Sequence, residues 1–380
     1  MHFRRLKCLT SLSLACLLGT ATARAVRADD LNDWLQVLQS MDQSQDPALA
    51  RDAWKKVVDS GVDSLPAVLA AFDPVGPKAA NWLRSAVDAI AEDCLADQRK
   101  LPQQRLEQFI TDTQRSPLAR RLAYEWLFEV DPTVKARMVP GMLHDPSLEL
   151  RRDAVAMQIE AAEAFAEAQK NPEAIDGFLK ALGGARDEDQ VKLIAKRLRE
   201  MGQQVDLPNH FGFLQQWYLI GPFDNTALKG FATEFPPEKE IDLDKRYEGK
   251  LGPVNWTKFE GNDDFGMIDL NKPLGQLKEV TGYAWTVFNS PVEQDVELRL
   301  GCKNGWKMWL NGELLFARDE YHRGMKIDQY KMKAHLKPGE NQILMKLCQD
   351  KMTESWTVEW QFQLRVCDAA GTAILPAPSP

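Results

Sequence analysis

The spacing of apolar residues along this chain changes once, near residue 205, and that change divides what it can fold into. Before it the spacing is helical: Leu31, Trp34, Leu35 and Leu38 step by 3, 1 and 3, and Leu122, Trp126, Leu127 and Val130 by 4, 1 and 3. After it the period is two. Asp295 to Cys302 alternates strictly, with Val296, Leu298, Leu300 and Cys302 on one face. At 380 residues the chain is too long for one ordinary core. A multidomain α + β protein is expected, helices first and strands second.

The helical region is punctuated. Asp46-Pro47, Ser116-Pro117, Asp131-Pro132, Asp145-Pro146 and Asn171-Pro172 each set an N-cap residue type before a proline suited to the first helical position. A repeat accompanies them. Arg51-x-Ala53, Arg84-x-Ala86, Arg121-x-Ala123 and Arg152-x-Ala154 recur at intervals of 33, 37 and 31 residues. A period of that length carrying helix pairs indicates an α-solenoid, with an irregular helical bundle as the alternative. Each Ala stands where helices must approach closely. Trp34, Trp54, Trp82 and Trp126 lie on or beside the apolar stripes and are expected in the core. Asp187-Glu188-Asp189 opens the last helix, and Lys192, Lys196, Arg197 and Arg199 follow, a charge order that suits the helix dipole on a solvated face.

The second half reads as many short strands. Asn311-Gly312 between Lys307–Leu310 and Leu314–Phe316 predicts a type I′ hairpin, and Pro338-Gly339-Glu340-Asn341 another turn. The last strand is expected from Trp356 to Val366, with Trp356, Val358, Trp360, Phe362, Leu364 and Val366 inward. Few helices and many turns imply an antiparallel β-sandwich.

Both halves carry a family resemblance. Asp46-Pro47…Arg51-x-Ala53 and Asp145-Pro146…Arg152-x-Ala154 resemble HEAT-like repeats. In the second half the pattern begins with Trp217-x-x-x-Gly221-Pro222-Phe223-Asp224-Asn225. It continues through Pro236-Pro237-Glu238, Tyr247-x-Gly249-Lys250 and Val254-Asn255-Trp256. Asn304-Gly305-Trp306-Lys307-Met308-Trp309-Leu310-Asn311-Gly312 and Leu336-Lys337-Pro338-Gly339-Glu340-Asn341 complete it. Together these resemble the galactose-binding-like jelly rolls of secreted bacterial proteins, often found beside HEAT-like repeats. The resemblance implies an N-terminal α-solenoid over 29–205 and a jelly-roll β-sandwich over 211–368, followed by a disordered tail at 369–380. Folds of this kind serve as carbohydrate-binding, adhesion or packing modules, and no ligand residue carries over.

Residues 1–25 read as a secretory signal: Arg4, Arg5 and Lys7 precede the apolar stretch Leu9–Leu18, with small-x-small cleavage candidates at Ala21-Thr22-Ala23 and Ala23-Arg24-Ala25. The stretch is too short to span a bilayer, and no later one is apolar enough. A lipoprotein reading at Cys16 is the alternative. An exported protein, periplasmic or extracellular, is therefore expected. Cleavage removes four bases and no acid, taking the formal charge from −8 to −12. Such a chain lacks the positive field that nucleic acid requires. Of the Cys that remain, Cys94, Cys302, Cys348 and Cys367, none makes a C-x-x-C spacing. Buried thiols are expected, with one bridge among the last three as the alternative.

Motifs of catalysis are absent. His144, His210, His322 and His335 are far apart in sequence, and no H-E-x-x-H, G-x-S-x-G, Walker loop or G-x-G-x-x-G occurs. No catalytic residue, metal ligand or cofactor is expected. Asp242-x-Asp244 and Asp263-Asp264 fit no EF-hand spacing, so a structural calcium ion has no motif behind it. The residues with most to offer are aromatic. Trp309 points away from the core face of its strand. With Trp285 and Tyr321 it can stack on a sugar ring, while Arg318, Asp319 and His322 bond its hydroxyls. The competing reading packs Trp309 against the rest of the fold. The expectation is a non-catalytic binding or scaffold protein, its repeats for a protein partner and its sandwich for a glycan or other extracellular ligand. A purely structural assembly protein is one alternative; a glycan-acting enzyme or its accessory subunit is another.

Overall fold

The computed structural model describes residues 28–44 and 46–378; the expected signal at 1–25 lies outside them. The chain divides into two compact units, one ending at Pro132 and one beginning at Thr133.

The first unit is helical. It holds α1 (Ala28–Gln39), α2 (Pro47–Asp59), α3 (Leu65–Ala70), α4 (Pro77–Ala96), α5 (Gln103–Thr111) and α6 (Pro117–Val130). Neighbours pack in pairs, α1 on α2, α3 on α4 and α5 on α6. The repeated Arg-x-Ala falls on the second helix of each pair, and Ala53, Ala86 and Ala123 are all buried where the helices meet. Asp46 caps α2 as expected, its carboxylate accepting from the N–H groups of Ala48 and Leu49. Ser116 stands at the N-cap of α6 before Pro117, though its side chain makes no cap bond, and the reading fails at the other three. Asp131 ends α6 instead of starting a helix, and Ser147, not Asp145, caps the helix after Pro146. The four helical Trp are half-buried and do not sit in the core. For two of them the indole N–H group gives the reason: Trp54 donates to Ser85 Oγ and Trp126 to Asp88 Oδ1, each at 2.9 Å.

The second unit opens with α7 (Val134–Met138), α8 (Leu148–Glu167), α9 (Asn171–Gly184), α10 (Glu188–Glu200) and α11 (Leu207–Phe211). Ala154 of the fourth repeat is buried in α8, and Arg152 beside it pairs with Asp189 at the start of α10. These helices are tied to the strands that follow. Arg199 donates to both carboxylate oxygens of Asp264, at 2.7 and 3.0 Å, and Lys192 lies over the Phe265 ring. The change from helix to strand occurs between Phe211 and Gln216. It turns on Gly212, whose φ of 78° and close approach to Val366 O leave no room for a Cβ.

Two antiparallel sheets follow. Their strands are β1 (Gln216–Asp224), β4 (Thr257–Glu260), β5 (Ile268–Asp269), β6 (Val280–Ser290), β7 (Gln294–Cys302), β8 (Gly305–Leu310), β9 (Glu313–Arg318), β10 (Tyr330–Leu336), β11 (Gly339–Gln349) and β12 (Gln361–Cys367). β2 (Tyr247–Gly249) and β3 (Gly252–Val254) form a separate hairpin. The larger sheet runs β4-β1-β6-β11-β8-β9 and the smaller β10-β7-β12-β5. Val296, Leu298, Leu300 and Cys302 enter a shared core with Trp217, Trp306, Met308, Met345, Trp360 and Phe362. Asn311 and Gly312 both have positive φ, 53° and 86°, as a type I′ turn requires.

Two expectations need correction. Trp356 does not point inward: β12 begins only at Gln361, and Trp356 stands in a 3-10 turn, 53% exposed. The thiols are as expected: no disulfide forms among the described residues, and Cys94, Cys302, Cys348 and Cys367 are free and buried. The described tail is ordered. Ile374 N–H donates to Val366 O and Ala377 N–H to Asn289 O, so its backbone is satisfied on the sandwich.

Candidate functional site

The outward faces of β1, β6, β11 and β8 carry one row of side chains. Register places Tyr218 opposite Trp285, Trp285 opposite Leu344, Leu344 opposite Trp309 and Trp309 opposite Leu314. Residues opposite each other share a face, so this is a continuous aromatic and aliphatic stripe across five strands. Alternation makes it so: Trp306, Met308 and Leu310 fill the core, which turns Lys307 and Trp309 out. Two strand spacings separate Trp285 from Trp309, about 10 Å.

Part of this face is covered. The segment between β1 and β4 folds back over it and builds a second core in which Phe223, Tyr247, Val254 and Trp256 meet Ile220, Tyr283 and Leu344. Where the cover ends, Trp285 and Trp309 remain half-buried and line a shallow cleft of about 140 Å³ with Pro237, Glu238, Lys239, Glu240, Gly312 and Gln342. Trp285 Nε1 finds no hydrogen-bond acceptor.

An ion pair anchors the cover. Lys346 Nζ donates to Glu238 Oε1 at 2.7 Å and to the carbonyls of Thr233 and Phe231 at 2.6 and 3.2 Å. Tyr283 Oη donates to the same carboxylate oxygen. The Phe235 and Tyr283 rings lie within 6 Å of the ammonium. Burial lowers the Lys346 pKa, and the carboxylate opposes that shift. Burial and the Glu238 charge together raise the Tyr283 hydroxyl, which stays a donor.

The six residues named from sequence do not assemble as one site. Trp285 and Trp309 share the stripe. Arg318 is opposite Trp306 and therefore belongs to the core-facing side of β9, where it lies against Phe316 and Tyr330. A register shift between Met308 and Trp309 sets that outcome. Asp319 is exposed beyond the strand end. Tyr321 and His322 occupy the β9–β10 loop: the Tyr321 hydroxyl accepts from Asn225 Nδ2 at 3.4 Å, and His322 Nε2 lies 2.7 Å from Asp350 Oδ2. Trp356 packs edge-on against His322. Residues that sequence reasoning missed are Tyr218, Glu238, Lys239, Glu240, Gln342 and Lys346. One signal was present: Lys346 interrupts the apolar run Ile343–Cys348, and a charge in a buried strand requires a partner.

Larger depressions occur elsewhere, about 520 Å³ beside His335 on β10 and about 450 Å³ beside Lys192 on α10. Neither brings two tryptophans together. Among the described residues no cluster of His, Cys, Asp and Glu can hold a metal ion. No described helix is long and apolar enough to cross a membrane.

No family model matches the chain, and no curated protein matches it. Among solved structures, an α-xylosidase from Xanthomonas citri is 9% identical with a TM-score of 0.19, over 32% of this chain and 15% of its own. A β-glucosidase from Kluyveromyces marxianus is 9% identical with a TM-score of 0.26, over 75% of this chain and 36% of its own. The chain thus spans little more than a third of either enzyme at most. The Pseudomonas fluorescens alkylpurine DNA glycosylase AlkC is 11% identical with a TM-score of 0.20, over 91% of this chain and 95% of its own. Scores this low carry no statement about fold or activity.

Proposed function

We propose that this is a non-catalytic, exported binding protein whose sandwich holds a glycan on the Trp285–Leu344–Trp309 stripe. The observation that carries the reading is the pairing of two half-buried indoles across one sheet face, with carboxylate, ammonium and amide groups at the rim. Flat apolar rings favour the C–H faces of a sugar, and polar rim groups bond its hydroxyls. The spacing of about 10 Å matches two stacking positions on one extended oligosaccharide better than a single monosaccharide.

The finer architecture belongs to the same proposal. The helix pairs with buried repeat alanines fit a HEAT-like solenoid. The two antiparallel sheets fit a galactose-binding-like jelly roll. The repeats then serve a protein partner, and the net acidic charge weighs against nucleic acid.

Calorimetric titration of the intact chain with soluble cell-envelope and plant oligosaccharides tests the glycan reading. Saturable binding that W309A removes supports it. No binding across the panel, with unchanged tryptophan fluorescence, overturns it.

A further inference from the structure

On the other side of the sandwich, facing α8, α9 and α11, four guanidinium groups gather. Two are fully neutralised. Arg299 and Arg365 are opposite each other on β7 and β12 and turn away from the core. Arg365 grips both oxygens of Asp328, and Arg299 bonds Asp328 and Glu297. The other two are not. Arg151, in the first turn of α8, is 6% exposed. It donates only to the carbonyl oxygens of Asp145 and His144, at 2.7 and 3.3 Å, and its Nη1 has no acceptor. Arg186, between α9 and α10, donates to the carbonyls of Ala185 and Gly183 and to Thr372 Oγ1, and its Nε has no acceptor. Neither has a carboxylate within ion-pair distance.

The turns carrying these arginines are locked together. Gly184 lies against Leu143 so closely that a Cβ there would stand 2.5 Å from its carbonyl oxygen. His210 donates from Nε2 to Ala185 O at 3.1 Å. Arg186 reaches Thr372, beside Asp368. Burial lowers the pKa of both arginines, and the Arg151 charge lowers that of Arg186 further. Asp368 offsets both from farther away, Asp145 adds to this at Arg151, and Asp368 Oδ1 is already taken by Thr372 N–H.

A buried guanidinium and a half-buried one, each with an idle, buried N–H group and no counter-charge in contact, are costly, because a buried charge needs a bonded partner. Guanidinium N–H groups are strong, directional donors to anions. We infer that the turn at Arg186, floored by Arg151, binds one small inorganic anion. Arg151 Nη1 and Arg186 Nε are its donors. Arg186, His210 and Asp368 are half-buried. The site is independent of the glycan face.

The test is titration of the intact chain with sodium chloride, sodium sulfate and inorganic phosphate, in gluconate at constant ionic strength. The three arms distinguish a halide from an oxyanion. Saturable binding of one anion per chain is expected, with affinity at least tenfold weaker in R186Q, which alters a half-exposed side chain and leaves the fold intact. D368N, which removes the competing carboxylate, tightens binding. The same anion raises the thermal midpoint of the wild type above its value in gluconate, and not that of R186Q. Absence of saturable binding in all three arms overturns the inference, as does equal affinity in wild type and R186Q. D368N that unfolds the chain while no anion binds assigns Asp368 as the internal counter-ion, and also overturns it.

Discussion

Lys346 Nζ lies 2.7 Å from Glu238 Oε1, and neither side chain has appreciable contact with water: the lysine is 0% and the glutamate 8% exposed. The two residues are 108 positions apart, one at the centre of the larger sheet and one on the segment that covers it. Every Lys346 proton has an acceptor, so the pair escapes the usual penalty of half-satisfied buried charge. It fixes where the cover ends, and so how much of Trp285 and Trp309 stays open.

Breaking that pair from one side leaves a buried carboxylate without a cation. Lys346→Met is expected to cost about 3–5 kcal/mol. The double variant K346M/E238Q removes both charges and recovers at least half of that loss. Urea unfolding followed by tryptophan fluorescence measures both. Equal stability of the single variant and the wild type contradicts the buried-pair reading.

Acid sensitivity should trace to His210. Burial, with help from the neighbouring Arg186 charge, holds its pKa down to about 4 in the folded chain, against an ordinary 6.5. The unfolded chain therefore takes up the proton first as pH falls. Stability is full above pH 6.5, declines between 6.5 and about 4, and levels below that. At about 1.4 kcal/mol per pH unit the loss is on the order of 3 kcal/mol. His210→Gln removes this slope between pH 6.5 and 4 in a stability–pH series. An unchanged slope assigns the sensitivity elsewhere.

The sandwich thiols should be inert in the native state. Burial pushes the Cys302 thiol up to about 12 and Cys348 up to about 11, so little thiolate forms at neutral pH. Alkylation at pH 8 modifies these two residues only as fast as the protein unfolds, and reductant leaves the thermal midpoint unchanged. Rapid native-state labelling of either cysteine contradicts their placement.

Asn341 holds the turn between the sheets. It is fully buried, its Nδ2 donates to Lys337 O and Gly339 O, and its Oδ1 accepts from Lys337 N and Asn311 Nδ2. Asn341→Ala leaves several of these groups unsatisfied, at a cost of about 2–4 kcal/mol. Thermal unfolding reads the loss; a midpoint within one degree of wild type contradicts it.

What was legible in the chain was local. The inward set Val296, Leu298, Leu300 and Cys302 and the Asn311-Gly312 turn follow from alternation and φ preference alone. Outward Trp309 followed from the same count. Trp285 was named beside it, but no local pattern places it there: β11 inserts between β6 and β8, and only this non-local pairing brings the indoles to one row. Arg318 was misplaced because a single register shift after Met308 changes which face β9 presents. Tyr321 and His322 sit where a loop takes them, held by Asn225 and Asp350, and loop paths leave no period to read. The division after Pro132 left no mark either. α8 to α11 keep the helical pattern of the first unit, yet Arg199 and Arg186 tie them to Asp264, in the loop between β4 and β5, and to Thr372, beyond β12.

The most direct test of the glycan-binding account is the dependence of affinity on oligosaccharide length. With two indoles about 10 Å apart on one face, affinity should rise at least tenfold once a ligand is long enough to lie across both. W285A and W309A should each abolish that rise without lowering the unfolding midpoint by more than a few degrees. Affinity that ignores length, or that survives intact in both variants, contradicts the account.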